Sequence, residues 1–301
     1  MSGSDTAMGS GKPPLAVIAG PTASGKSAMA LEMAEAEKGV IINADASQLY
    51  AELSILSARP SAAEMARAPH RLFGVVDGAE SCTAARWAEL ARAEIAAAHE
   101  AGRLPILVGG TGLYLRTLLE GIAPVPEIPD EVRADVRRLS TGEVRAALER
   151  EDPAMAARLH PHDTQRNARA LEVVRASGRS LASWQQAEAD GGLGAEVALR
   201  PLVIDIPRPA LVERIDARVG AMWREGALEE VRHLAARGLS RTLPVMRAIG
   251  VPPLLALLAG TLSEEAALAR WRLDTRQYAK RQATWLRNQM GGWPRIPARL
   301  G

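Results

Sequence analysis

Leu15-Ala16-Val17-Ile18-Ala19, followed by Gly20-Pro21-Thr22-Ala23-Ser24-Gly25-Lys26-Ser27, decides the fold. The first five residues form an apolar run of strand length. Ala28 to Ala34 then reads as a helix. Strand, glycine-rich turn and helix make the setting that a phosphate-binding P-loop requires. A chain wrapped round phosphate oxygens needs Gly20 and Gly25, because side chains there would block the approach or the dihedrals. Backbone N–H groups then point inward, and the helix adds its positive end. Lys26 supplies a charge to the terminal phosphate, and the Ser27 hydroxyl is a candidate ligand for Mg²⁺. A nucleotide is the default occupant, but any diphosphate or triphosphate satisfies the same donors. A second Gly-Lys cluster, Gly9-Ser10-Gly11-Lys12, has no strand before it and Pro13-Pro14 after it, so it is discarded.

Working outward, Val40 to Ala44, Leu104 to Val108 and Leu202 to Ile206 are further apolar runs of strand length. They lack alternation and are separated by helical stretches. That pattern predicts an α/β fold with a parallel sheet covered on both faces, of the P-loop NTPase type. In such sheets the ligand lies at the carboxyl ends of the strands. The P-loop, Asp45 and Gly109 to Gly112 all fall at such ends and should converge. Residues 15–122 and 201–301 are expected to build this core and its C-terminal helices. Pro124, Pro126 and Pro129 punctuate a linker, and 123–200 is expected to be an all-helical insertion. Met1 to Pro14 is Gly/Ser-rich without an apolar run, and is expected to be a disordered tail rather than a signal peptide.

The bulk properties narrow the class. The chain has 301 residues, 47% hydrophobic and 24% charged, the profile of a globular protein that needs no metal or disulfide to fold. Its single cysteine, Cys82, excludes an intramolecular disulfide and a multi-cysteine zinc site, and fits a cytoplasmic location. No run of about 18 apolar residues exists to span a membrane. Net charge is only +2, so its distribution matters more. Between Arg270 and Arg287 lie Arg272, Arg276, Lys280 and Arg281, against one acid, Asp274. Arg272, Arg276 and Lys280 share a helix face, which is either a phosphate-tracking stripe or a solvated face paired with acids. Trp271, Tyr278 and Trp285 recur on another face, as a core stripe rather than a stacking surface. Arg214 and Arg218, one turn apart after the last strand, either reach back to the phosphates or are surface charges. His160 and His162 flank Pro161 and suggest no metal site. Asp45 has three readings: water-mediated Mg²⁺ binding, proton acceptance beside the phosphates, or a helix cap.

A resemblance bears on these choices. Gly20 to Ser27, Asp45-Ala46-Ser47-Gln48-Leu49-Tyr50 and Pro105 to Leu115 resemble the tRNA dimethylallyltransferases, also called tRNA isopentenyltransferases. So, in order, do Asp163 to Val173, Arg247-Ala248-Ile249-Gly250 and Tyr278 to Trp285. The likeness runs from Leu15 to Met290, and the ordered set is far more specific than the P-loop alone. It implies transfer of a dimethylallyl group from dimethylallyl diphosphate to the exocyclic amine of the adenosine 3′ to the anticodon, in tRNAs reading codons that begin with U. By this resemblance the P-loop (Gly20, Pro21, Thr22, Ala23, Ser24, Gly25, Lys26, Ser27) and Arg218 bind the donor diphosphate with Mg²⁺. Asp45, Thr22 and Lys26 are the catalytic residues, with Asp45 the general base. Asp45, Ala46, Ser47, Gln48, Thr111 and Arg133 contact tRNA, with Gln48 holding the base. Gln165, Arg166, Asn167, Ala168 and Arg169, and Arg247, Ala248, Ile249, Gly250, Val251 and Pro252, match segments that touch the anticodon arm. A cytoplasmic monomer is expected.

Two departures stand out. Family members usually carry Ser after the aspartate, where this chain has Ala46. The usual Gly-Thr-Ala-Lys-Pro stretch is here Ser57-Ala58-Arg59-Pro60, which keeps a charge but changes its geometry. Two other functions suit a P-loop scaffold: a small-molecule or nucleotide kinase, and a non-catalytic RNA-binding switch.

Overall fold

The computed structural model describes residues 11–123, 125–186 and 191–299. Six strands form one sheet: β1 (Pro14–Ala19), β2 (Gly39–Asn43), β3 (His70–Arg71), β4 (Leu104–Gly109), β5 (Ala198–Asp205) and β6 (Arg295–Pro297). Their order is β3-β2-β4-β1-β5-β6, and every pairing is parallel. The strand carrying the P-loop is therefore central. Val17 lies opposite Leu107 of β4 on one side and Pro201 of β5 on the other.

The continuous apolar runs arise because both faces are covered. Leu15, Val17 and Ala19 point into one core, and Ala16 and Ile18 into a second on the opposite face. The second core is covered by α1 (Lys26–Ala36), with α2 (Ala62–Arg67) beside it. The larger first core takes in α3 (Ala84–Glu100) and α4 (Gly112–Glu120). Thr83 caps α3 by accepting the Arg86 N–H, and Trp87 on that helix donates its indole N–H to the Asn43 carbonyl at 2.9 Å.

The chain divides into two compact units. One comprises Met1–Leu119 with Leu193–Gly301, the other Glu120–Gly192. The smaller unit contains α5 (Asp130–Arg138), α6 (Thr141–Glu151), α7 (Pro153–Arg158), α8 (Thr164–Ser177) and α9 (Leu181–Gln186), and no strand among its described residues. Its helix starts are written locally. Ser140 and Glu143 form a capping box, Asp152 caps α7 with Pro153 in the first turn, and Asp163 caps α8. A separate core of Val136, Leu148, Met155 and Leu171 holds these helices together. The larger unit is completed by α10 (Arg208–Arg224), α11 (Ala227–Ala236), α12 (Val251–Leu258) and α13 (Glu264–Gln289).

Several sequence expectations need correction. Residues 1–10 and Pro124 lie outside the described residues, and so does Gly9-Ser10 of the discarded cluster. The expected tail nevertheless does not reach residue 14. Lys12 donates to the Ala195 carbonyl, Pro13 accepts from Ala198, and Pro14 opens β1. The fourth apolar run begins earlier than residue 202, and residues 193–200 belong with the sheet-bearing unit because β5 pairs with β1 from Ala198. Strands β3 and β6 were not foreseen, being only 2 and 3 residues long.

Gly109 closes β4 against the turn that carries Asp45. A Cβ there would lie 2.1 Å from the Ala44 carbonyl oxygen and 2.8 Å from its Cα, both backbone atoms that cannot swing aside. Gly109→Ala is therefore expected to destabilise the protein by about 1–3 kcal/mol. Urea unfolding measures this, and a midpoint equal to wild type would contradict the packing.

Candidate active site

Three chain segments meet at the carboxyl end of the sheet. The P-loop leaves β1, with Gly25 at φ +93 and Ala23 at φ +62. A Cβ at Gly20 would sit 2.7 Å from Ser24 Oγ, so a side chain there would force the Ser24 hydroxyl to move. Lys26 begins α1 and is buried, its ammonium donating to the Pro21 carbonyl at 3.3 Å. Burial pushes the Lys26 pKa down to about 8, while Asp45 works against the shift and Arg218 adds to it. Ser27 is exposed at the same turn.

Asp45 lies two residues beyond β2 rather than at its last position. Asn43 builds the turn: its Oδ1 accepts the Asp45 N–H at 2.8 Å, and its Nδ2 donates to the Asp45 and Leu72 carbonyls. One carboxylate oxygen of Asp45 accepts the Ser47 N–H at 3.0 Å in an Asx turn, while the short helix Ser47–Leu49 is capped at Ala46, so Asp45 is not its N-cap. The other oxygen takes no hydrogen bond among the described residues. Ala46 donates its N–H to Thr111 Oγ1 at 3.0 Å, which ties the turn to the Gly109–Gly112 segment without a side chain at 46. The missing serine hydroxyl therefore leaves the turn intact. Gln48 donates its amide to the Ser57 and Ala58 carbonyls, at 3.0 and 2.9 Å, which leaves its own carbonyl oxygen to accept a donor.

These groups line two adjoining cavities. The wider, about 580 Å³, is walled by Thr22 to Met29, Asp45, Gln48, Ser57 to Pro60 and the guanidinium-bearing Arg214, Arg218 and Arg299. The narrower, about 60 Å³, is mostly apolar: Leu53, Leu56, Ile215, Val219, Met222, Ile249, Trp271 and Tyr278 surround it. Thr22, Asp45, Ser57 and Arg218 belong to both walls, so they stand where the two spaces join. Arg218 is brought to the phosphate loop rather than left on the surface. Burial lowers its pKa and Asp45 opposes that. Arg214 lines the same cavity, its guanidinium 3.8 Å from where a Cβ on Gly25 would stand, and donates to the Arg299 carbonyl.

The sequence reading missed one anchor. Gln282 on α13 is buried and accepts the Thr22 N–H through Oε1 at 2.9 Å, while its Nε2 is buried without a partner among the described residues. Tyr278, one turn earlier, lies on the same face of α13, and burial raises its pKa. The signal was present as a polar residue at i+4 from Tyr278, on the face that the aromatic stripe turns inward. Trp271 is buried and Trp285 packs on the core, so that stripe is structural, with Tyr278 and Trp271 also reaching the narrow cavity.

Other expected contacts separate into exposed and enclosed groups. Gln165, Arg166 and Arg169 are exposed along α8. Asn167 is not. It is 1% exposed, donates to the His160, Pro161 and Asp163 carbonyls and accepts from Arg145. It builds the start of α8 and has no surface left for RNA. Ala168 is half-buried against the helical core. Arg133 is half-buried and turns back to the Ile128 carbonyl and Asp130. Arg247 and Pro252 are exposed, while Ala248 and Ile249 line the narrow cavity. Gly250 and Val251 are buried, and a Cβ on Gly250 would meet Leu56 and Trp271. Neither can contact RNA through a side chain. In the basic stripe Arg276 is half-exposed and bound to Asp216, whereas Lys280 and Arg281 are exposed.

For Mg²⁺ the donor set is sparse. Among the described residues no group of three or more His, Cys, Asp or Glu side chains could hold a metal. Ser27 and Asp45 on one cavity wall suit a cation that arrives with phosphate oxygens and water rather than one held in a protein cage.

A parallel sheet with a P-loop after its central strand, and Asp45 lining the same cavity, define an α/β protein of the P-loop type. The chain belongs to the IPP transferase family, whose model matches residues 48–289. A relative from Sphingopyxis alaskensis described as tRNA dimethylallyltransferase is 60% identical, over 93% of this chain and 92% of its own. Another of that description, from Erythrobacter litoralis, is 55% identical over 95% and 92%. Among solved structures, a tRNA isopentenylpyrophosphate transferase from Bacillus halodurans is similar with a TM-score of 0.70 and 32% identity, covering 95% of this chain and 90% of its own. A eukaryotic dimethylallyltransferase acting on tRNA gives a TM-score of 0.80 at 26% identity, covering 95% and 74%.

Proposed function

We propose that this protein transfers a dimethylallyl group from dimethylallyl diphosphate to the exocyclic amine of an adenosine in tRNA, the one 3′ to the anticodon. The observation that carries this reading is the junction of a cationic phosphate cavity with a small apolar one, with Asp45 at the seam. The P-loop amides, Lys26 and Arg218 receive the diphosphate. The apolar side chains enclose a five-carbon chain beyond it. The base, extruded from its stack, reaches the same seam from the acceptor side at a cost of a few kcal/mol, offset by pocket contacts.

In the reaction a bond forms between the amine nitrogen and C1 of the prenyl group, while the C1–O bond to diphosphate breaks. The aromatic amine is a weak nucleophile whose proton becomes acidic as the new bond forms, and the open oxygen of Asp45 accepts it. The Gln48 carbonyl oxygen suits the second amine hydrogen, because both of its amide hydrogens are spent on the 57–58 backbone. Charge growing on the leaving oxygens is met by Lys26 and the loop amides. Mg²⁺, bound with the diphosphate through Ser27, would further neutralise that charge. Exposed Gln165, Arg166 and Arg169, with Arg247, Lys280 and Arg281, supply contacts for the tRNA backbone. No described helix is long and apolar enough to cross a membrane.

The test is incubation with labelled dimethylallyl diphosphate, Mg²⁺ and total tRNA, followed by nucleoside analysis. Label in isopentenyladenosine is the expected result. Absence of label, together with turnover of a nucleoside triphosphate, would favour the kinase reading. Binding to tRNA should weaken steeply as salt rises, and a flat profile would remove the arginine contacts.

A further inference from the structure

Gln48 is held by a loop, and that loop is held by a residue no motif marks. Gln48 donates to the Ser57 and Ala58 carbonyls. The loop containing them places Leu53, Leu56 and Ser57 on the narrow cavity and Ser57 to Pro60 on the wider one. Its turn is closed locally by the Ala58 N–H to the Ile55 carbonyl at 2.9 Å and the Arg59 N–H to the Ser54 carbonyl at 3.0 Å. Ala58 sits at φ +49, a left-handed conformation that a non-glycine residue keeps only when its surroundings enforce it. A further anchor comes from α11. Glu230, in its first turn, accepts the N–H groups of Ser54 and Ile55 through Oε1 at 2.6 and 2.7 Å, and that of Leu56 through Oε2 at 2.8 Å. Three successive amides converge on one half-buried carboxylate that makes no ion pair among the described residues. Charge-assisted bonds of this kind are roughly twice as strong as neutral ones, and the helix start favours the negative charge. Arg237, which follows that helix as its C-cap, binds Glu52 and Asp77.

We propose that Glu230 is a positioning residue for the transfer reaction. It anchors the 54–56 backbone so that the Ser57 and Ala58 carbonyls fix the Gln48 amide, and with it the acceptor oxygen offered to the target base. This rests on the reaction proposed above. Glu230 touches neither substrate. Its effect travels through the loop to Gln48, and the P-loop is held separately by Gln282.

The experiment compares wild type, Glu230→Gln, Glu230→Asp, Gln48→Ala and the Glu230→Gln/Gln48→Ala double variant. Glutamine is nearly isosteric but loses the charge and turns an NH₂ toward the amides it should accept. Glu230→Gln should lower kcat/KM for tRNA by about tenfold or more, with Glu230→Asp intermediate, since a carboxylate one methylene shorter keeps part of the contact. Affinity for inorganic diphosphate with Mg²⁺, received by the P-loop amides, Lys26 and Arg218 rather than by Gln48, should stay within about twofold. The double variant should be no worse than Gln48→Ala alone, because both changes break one linkage. Wild-type kinetics in Glu230→Gln, multiplying effects in the double variant, or an equal loss of diphosphate binding would each overturn the proposal. Should the variants fail to fold, hydrogen exchange on wild type decides. The Ser54, Ile55 and Leu56 amides should be protected, and exchange at the rate of a free loop refutes the anchor. A wild-type protein that transfers no prenyl group would count against the reaction instead, whatever the exchange shows.

Discussion

Asp45→Asn is expected to lower kcat for prenyl transfer by about 10²–10⁴ while tRNA binding stays near wild type. Asparagine is the informative replacement because the turn needs an oxygen at this position. Asp45 Oδ1 accepts the Ser47 N–H, and an asparagine Oδ1 can do the same, so the 45–49 turn and its tie to Thr111 should survive. What is lost is the group that takes the amine proton. Single-turnover measurement of isopentenyladenosine at saturating tRNA, beside filter binding of the same tRNA, separates the two. Transfer at the wild-type rate would remove Asp45 as the base. Equal loss of binding and transfer would point to a collapsed turn. A second consequence follows from charge. Asp45 raises the pKa of buried Lys26 and of Arg218, so its neutralisation should move the Lys26 titration to lower pH.

The parts of this site legible in the sequence are those that chemistry imposes locally. The P-loop is contiguous, its glycines are required by backbone approach, and β1 before it is apolar on both faces because both faces are buried. Convergence of Asp45 and Gly109 to Gly112 with the loop followed from the parallel sheet, and the order β2-β4-β1 realises it. What escaped the sequence depends on partners that are backbone atoms. Glu230 binds amides 174 to 176 residues earlier, and Gln282 binds an amide 260 residues earlier. An amide carries no residue-type signal, so neither pairing has a pattern to read. Matching a motif also delivers a segment and not a face. Asn167 and Val251 lie inside such segments, yet each is turned into the protein, one to build a helix start and the other to fill the core. Arg276 looked equivalent to Lys280 by spacing, and only the position of Asp216 on α10 distinguishes them.

Lys26→Met should abolish diphosphate binding in practice, lowering kcat/KM for the prenyl donor by about 10² or more. The reason lies in how the ammonium is held. Lys26 is buried, and its pKa falls from 10.5 to about 8 chiefly through desolvation. The folded, ligand-free protein thus releases this proton more readily than the unfolded chain does. Between pH 8 and 10.5 the unfolded state binds more protons, so folding stability gains as pH rises through that window, and below it the buried charge is a cost. Methionine removes the cost. The variant should be more stable than wild type near neutral pH without ligand, on the order of 2 kcal/mol, while losing the donor. The same titration sets a limit on activity. A diphosphate needs the protonated lysine, so kcat/KM for the donor should hold below pH 8 and fall about tenfold per pH unit above it, a limb absent from Lys26→Met. Thermal unfolding with and without inorganic diphosphate, beside a pH–rate profile, measures all three effects. Wild type should gain stability on adding diphosphate and the variant should not. A variant that is less stable, or a donor profile flat through pH 8, would show that Lys26 is not the buried cation on which the phosphate site depends.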